Sequence, residues 1–199
     1  MGSQLTGVIL AGGASSRMGT DKAHLAWGSR TLIAHVIETL RPVVNEVIVA
    51  VKDARKFCGL NAKVVEDLVP DAHALGGLYT GLVLASHERC LACACDAPFL
   101  NPRLVRFLVE QAVGYDLVIP RTAHGLQPLH AVYAKSALPA IEQQLHRQQW
   151  DLCALVPKVR AKIIEPALMA PYDPEGLSCF NLNTPEDYAQ ACRVRRGRW

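Results

Sequence analysis

The order of elements along the chain predicts an α/β fold: a Rossmann-like three-layer α/β/α sandwich on a mostly parallel sheet, with an antiparallel element in the second half. Three observations predict it. Short apolar runs read as buried strands and alternate with segments of helical spacing, the signature of a parallel sheet covered on both faces. A glycine-rich loop follows the first of these runs. Polar residues follow several strand ends, and in such sheets ligands bind beyond the carboxyl ends of the strands.

Residues 6–12 (TGVILAG) form the first strand, and the loop runs from Gly12 to Gly19. Residues 31–40 place Leu32, Ile33, Val36, Ile37 and Leu40 at helix spacing, with Pro42 just past the end. Residues 46–51 (EVIVAV) and 62–67 (AKVVED) are the next two strands. A glycine-bearing turn then opens a helix near residues 78–87. Residues 90–95 (CLACAC) are a central strand with Asp96 at its end. Asn101 and Pro102 read as cap and first residue of a helix to about Val113, followed by a strand at 116–120. Residues 128–134 (PLHAVYA) alternate and are expected against the edge of the sheet. A helix over ALPAIEQQLHRQ and a short strand over AKIIEP come next. Thr184 caps a last helix, with Pro185 at its first position and acidic residues in its first turn, running to about Arg193. The basic tail is expected to be a frayed, solvated end.

A chain of 199 residues is long enough to bury one sizeable core. Half of it is apolar and 20% is charged, which excludes a disordered chain. A net charge of +3, spread over both halves, does not point to nucleic acid. No apolar run approaches the length of a membrane span. With no basic segment leading into a long apolar one at the N-terminus, a cytoplasmic location is expected. Seven cysteines in no scaffold spacing suggest reduced, buried thiols. Cys90, Cys93 and Cys95 raise the question of soft-metal ligation, but they lie in an apolar strand with no second Cys/His pair nearby to complete four ligands.

The chemistry concentrates in LAGGASSRMGTDKAHL, from Leu10 to Leu25. Gly12 and Gly13 let the backbone turn sharply and approach a ligand closely. Exposed backbone N–H groups in such a loop can cradle phosphate oxygens. Arg17 and Lys22 add charge that could neutralise a polyphosphate. The P-loop pattern needs Gly directly before Lys, and here Thr20 and Asp21 separate Gly19 from Lys22. G-x-G-x-x-G, H-E-x-x-H and G-x-S-x-G are all absent, which leaves dinucleotide, catalytic-zinc and hydrolase-elbow readings unsupported. Asp67 and Asp96 also follow strand ends and complete the candidate set. His130 is read as packing within its strand, and His73 as a solvated loop residue beside the site.

The loop resembles the signature L-A-G-G-x-S-x-R-M-G-x-D-K of nucleotidylyltransferases that activate small molecules with a nucleoside triphosphate. With VVED, GGLYTGL, CDAPFL, QPLHAVY and FNLNTPEDYA, the chain is most similar to the molybdenum cofactor guanylyltransferases. The resemblance implies one domain over 1–199, with a nucleotide-binding half to about residue 115 and a second-substrate half from about 116. It implies GMP transfer from GTP to molybdenum-molybdopterin, with Mg2+ and release of pyrophosphate. Leu10, Ala11, Gly12 and Gly13 then line the nucleotide, with Lys22, Asp67 and Asp96. Arg17, Lys22 and Asp96 are the catalytic set, Asp96 is the metal ligand, and Asn181 and Asn183 lie near the second substrate. Docking to molybdoenzymes or other cofactor-biosynthesis proteins is compatible with it. Some members carry Asn after the second strand where this chain has Ala50, so a cytidylyltransferase on the same cofactor or another small-molecule phosphate nucleotidylyltransferase stands as an alternative, and a non-catalytic nucleotide or cofactor carrier as a second.

Overall fold

The computed structural model describes residues 4–12 and 22–197. Elements are numbered in chain order: β1 (Leu5–Leu10), β2 (Ala26–Trp27), β3 (Arg30–Thr31), α1 (Leu32–Leu40), β4 (Glu46–Val51), β5 (Lys63–Glu66), α2 (His73–Leu84), β6 (Arg89–Ala94), α3 (Pro102–Glu110), β7 (Leu117–Thr122), β8 (Gly125–Leu126), β9 (His130–Ala134), α4 (Leu138–His146), β10 (Ala161–Ile164), α5 (Pro166–Met169) and α6 (Pro185–Arg196). The main sheet runs β10-β7-β9-β6-β1-β4-β5, with β8 paired to β7. Strand β9 is antiparallel to both neighbours, whereas β1 is parallel to β4 and β6, β4 to β5, and β7 to β10.

Period-two alternation sorts the strand residues into two cores. Leu5 and Ile9 of β1 face α1 and α3, joining Ile33, Val36, Ile37, Leu104, Val105 and Leu108. Val8 and Leu10 face the other way, onto Leu75, Leu78 and Leu82 of α2 and Ile141 of α4. The same alternation continues in β4, β6, β7 and β9, so two helical layers enclose the sheet, as expected of the three-layer fold. A third, smaller cluster joins Trp27 and Leu32 to Leu182 and Ala191, which seats α6 beside the β2–β3 hairpin.

Caps read from the sequence are present. The Asn101 side chain accepts from the Arg103 N–H, Pro102 opens α3, and Thr184 and Asp187 form a reciprocal capping box on α6. Four expectations are corrected. Helix α2 begins at His73, five residues earlier than expected, because Gly76, Gly77 and Gly81 lie within it rather than forming a turn: Gly77 and Gly81 seat it against β1, and Gly76 packs on the Val69 carbonyl and Ala72. Helix α3 ends at Glu110, short of Val113. The 128–134 segment lies in the sheet interior as β9, between β6 and β7, because both its neighbours pair with it and both its faces are covered. Helix α6 continues to Arg196, and the Arg195 guanidinium packs over the Trp27 indole at 4.9 Å, a cation–π contact that anchors the tail. Cys90 and Cys93 sit on opposite faces of β6, so they cannot share a metal, and burial pushes both thiols up to about 12. Among the described residues no helix is long and apolar enough to cross a membrane.

Candidate active site

The site forms where the strand order reverses. From β1 the chain builds outward to β4 and β5, then α2 carries it across to β6 on the other side of β1. That reversal leaves a crevice beyond the carboxyl ends of the strands. Three backbone hydrogen bonds extend the ladder one step past the strands: Ala11 N–H to Ala50 O at 2.9 Å, Cys95 N–H to Leu10 O at 3.2 Å and Asp67 N–H to Val51 O at 2.9 Å. They place Ala11, Asp67 and Asp96 on a common rim. One cavity is lined by Leu10, Ala11, Gly12, Lys22, Asp67 and Asp96. Sequence reading named all six, and the structure brings them together.

Lys22 is the hub. Its Nζ donates to Asp96 Oδ2 at 2.8 Å and to Asn183 Oδ1 at 3.0 Å. Asn183 lies 161 residues further along the chain, and the α6 cap sets its position. Asp187 Oδ2 accepts from both the Asn183 and Thr184 N–H groups, at 2.8 and 2.9 Å, and Leu182 N–H bonds Asp96 O at 3.0 Å. The capping box thus holds Asn183 against Lys22 as well as starting the helix. Asn181, half-buried two residues earlier, does not join this contact with Lys22. Gly13 and Arg17 lie outside the described residues.

Asp67 occupies the far side of the cavity. Burial pushes its carboxyl up to about 6, partly opposed by the charge of Lys52, and its Oδ1 is buried with no hydrogen-bond partner among the described residues. A β-carbon at Gly12 would come within 3.3 Å of Asp67 Oδ2, and one at Gly77 within 3.1 Å of Leu10 Cδ2 and 3.5 Å of Asp67 Oδ1. Glycine at both positions keeps the space beside this carboxylate open. An orphaned acceptor facing such a space fits a ligand that brings hydroxyl or N–H donors. Because the folded-state pKa is raised, the linked stability is fully present below the unfolded value near 4 and is lost as pH rises through about 6. Asp67→Asn is therefore expected to raise Tm by about 2–4 °C at pH 8, a figure kept small because the group is half exposed, and to leave Tm unchanged near pH 4. Thermal unfolding at the two pH values checks it; an equal shift at both would show that the carboxylate's charge is not the cause.

Several cavity residues were not singled out as ligand contacts from sequence: Ala74, Gly77, Cys95 and Leu129. The Gly-Gly at 76–77 was the available signal, since adjacent glycines permit close approach in a helix as well as in a turn. His73 is corrected from solvated loop to first residue of α2 on the cavity wall, exposed and set edge-on to Trp150. His130 packs as expected: it is buried, with Nε2 3.0 Å from Ser178 Oγ, and desolvation lowers its pKa to about 4.

Asp96 and Asn183 supply oxygen atoms, and both converge on one cationic point, now the ammonium of Lys22. That donor set fits a hard divalent cation. Among the described residues no group of three or more His, Cys, Asp or Glu side chains could enclose a metal alone. A cation here would draw further ligands from phosphate oxygens and water, the usual habit of Mg2+ at nucleotide sites.

A lysine and a carboxylate facing each other at the switch point of a parallel sheet suit chemistry on a polyphosphate, and the class that fold and site define is a nucleotidyltransferase. The MobA-like NTP transferase domain matches residues 7–161, and the chain belongs to that family. It is 41% identical over 189 residues to a probable molybdenum cofactor guanylyltransferase of Pelotomaculum thermopropionicum, covering 94% of this chain and 92% of that one. It is 32% identical to the molybdenum cofactor guanylyltransferase of Desulfosudis oleivorans, covering 98% of each. The crystal structure of molybdopterin-guanine dinucleotide biosynthesis protein A from Archaeoglobus fulgidus superposes with a TM-score of 0.85 at 24% identity, over 98% of this chain and all of that one, which establishes the shared fold.

Proposed function

We propose that this protein transfers GMP from GTP to molybdenum-molybdopterin. A terminal phosphate oxygen of the molybdopterin attacks the α-phosphorus of GTP, a new P–O bond forms, the bond to the β-phosphate oxygen breaks, and pyrophosphate leaves with its electron pair. The nucleophile is already an anion, so no strong general base is needed. The barrier lies in bringing two anions together.

The single observation that carries this reading is the Lys22 ammonium held between Asp96 Oδ2 and Asn183 Oδ1 at the edge of the nucleotide cavity. At that edge Lys22 stabilises charge on the departing pyrophosphate. Arg17, on the same loop, adds a second cation. Asp96, with Asn183, would hold Mg2+, which supplies neutralisation of phosphate charge. Asp67 and the backbone at Leu10, Ala11, Gly12 and Gly13 hold the nucleoside end. The nucleotide lies in the half up to about residue 115, and the second substrate in the half from about 116, near Asn181 and Asn183. The setting is the cytoplasm, with delivery to molybdoenzymes or other cofactor-biosynthesis proteins.

The test is a pyrophosphate-release assay with molybdopterin and each of GTP, CTP, ATP and UTP, with and without Mg2+, alongside thermal shifts with the same nucleotides. GTP-specific, Mg2+-dependent release is expected. A ligand bound only by the folded state at about 100 times its Kd stabilises by about 2.7 kcal/mol, enough to read as a shift. Release with CTP in place of GTP would move the assignment to a cytidylyltransferase. GTP binding without release, given genuine molybdopterin, would leave a carrier.

A further inference from the structure

The β4–β5 side of the cavity is walled by Leu10, Ala11, Ala50, Asp67, His73 and Gly77. Of these only Asp67 and His73 carry polar side chains. The methyl group of Ala50, at the end of β4, offers a base no hydrogen bond. Among the described residues, a nucleobase lodged on this side is read by backbone atoms, by a carboxylate that accepts, and by one imidazole.

His73 is held in an unusual way. Its φ is +51°, the left-handed region that side-chain-bearing residues seldom occupy, and Asp71 two residues earlier has φ +58°. Surrounding contacts define the segment: Asp71 Oδ1 lies 3.5 Å from Lys52 Nζ, and the Trp150 ring stands edge-on to the imidazole with centroids 6.1 Å apart. Glycine would satisfy the backbone here without strain. The chain instead has a histidine on the cavity wall, and neither ring nitrogen has a hydrogen-bond partner among the described residues.

We propose that His73 selects the nucleobase, its imidazole N–H donating to O6 of guanine. This rests on the guanylyl-transfer reading and names how that site chooses its base. Guanine presents the acceptors O6 and N7, whereas adenine presents an N6 amino donor where guanine has O6, and cytosine an N4 amino donor. An N–H directed at the O6 position therefore meets an acceptor in guanine and an amino donor in adenine or cytosine, whereas N7 accepts in both purines and does not discriminate. Asp67 complements it by accepting from the nucleoside's own donors.

The experiment is titration calorimetry of GTP, ITP, ATP and CTP against the full-length protein and its His73→Ala and His73→Gly variants. ITP keeps O6 and N7 but lacks the 2-amino group, so it isolates the edge assigned to His73. In His73→Ala, GTP and ITP are expected to weaken together by about 2–12-fold, the range for one net hydrogen bond, while ATP and CTP change less than about twofold. His73→Gly relaxes the left-handed backbone, so it is expected to unfold at a higher temperature than His73→Ala and to show the same loss of preference. A GTP-to-ATP affinity ratio unchanged in both variants, or an equal loss for all four nucleotides, overturns the assignment to His73 while leaving guanylyl transfer intact. A wild-type protein that binds CTP more tightly than GTP fails the guanylyl reading itself, and the inference with it.

Discussion

Asp96→Ala and Asp96→Asn are both expected to reduce the rate of pyrophosphate release by about a hundred- to a thousand-fold, the scale on which losing one preorganised electrostatic partner acts. Asp96 is buried just past the end of β6, and its carboxylate pairs with Lys22 Nζ at 2.8 Å. The Asn variant preserves shape and removes only charge. Its neutral amide oxygen still accepts from Lys22 but cannot offset a divalent cation or orient the ammonium as a carboxylate does. Fold should survive both changes. The Lys22 and Asp96 side chains are 19% and 11% exposed and border an open cavity, so the cost to stability is about 1 kcal/mol rather than that of a fully buried pair. Single-turnover release of pyrophosphate, with circular dichroism on the same samples, checks this. Activity within tenfold of wild type in Asp96→Asn would remove the carboxylate from the proposed chemistry.

Gly81→Ala should lower Tm by about 4–8 °C, the result of a net cost of about 2 kcal/mol. In an exposed helix the same change would stabilise by about 1 kcal/mol, because glycine is the poorer helix former. Here a β-carbon would sit 2.2 Å from Val8 Cγ1 and 2.8 Å from Cγ2. Val8 is fully buried in the central strand, and a β-branched side chain in a strand has little rotamer freedom to yield. Helix α2 must therefore lift from β1, opening the core formed by Leu75, Leu78 and Leu82. Overpacking of this kind costs about 1–3 kcal/mol, occasionally more, and at about 2–4 °C per kcal/mol it outweighs the propensity gain. Because α2 also carries His73, Ala74 and Gly77 into the cavity, GTP affinity should fall with stability. The Val8→Ala/Gly81→Ala double variant supplies the control: it should recover part of the Tm lost by Gly81→Ala alone. A Gly81→Ala protein that melts above wild type would show that helix propensity, not contact with β1, governs this position.

The parts legible in the sequence are those governed by local chemistry. Strands buried on both faces announce themselves as apolar runs, and β1, β4 and β6 were placed from TGVILAG, EVIVAV and CLACAC. Caps were equally local: Asn101-Pro102 and Thr184-Pro185 open α3 and α6 where their side chains can reach the first-turn N–H groups. Gly12, Lys22, Asp67 and Asp96 were legible because they belong to polar clusters that follow predicted strand ends, Leu10 and Ala11 because the loop resembles the family signature, and the register of the parallel strands brings those ends level.

What the sequence left open required contacts between distant segments. The alternation in 128–134 is the same for an edge strand and an interior one, and only pairing to both β6 and β7 makes β9 interior. The glycines of GGLYTGL read as a turn because local propensity penalises them in a helix, whereas Leu10 and Val8 occupy the space a β-carbon would need at Gly77 and Gly81, and Val69 O and Ala72 that at Gly76. The role of Asp187 emerges only when its capping box holds Asn183 against Lys22, 161 residues away. Sequence alone thus determined the fold class and the residue types of the site, because hydrophobic periodicity, capping and glycine's steric freedom act over a few residues. Tertiary structure alone decided which residues meet, because burial, close approach and an unsatisfied carboxylate such as Asp67 depend on groups that the chain separates and the sheet brings together.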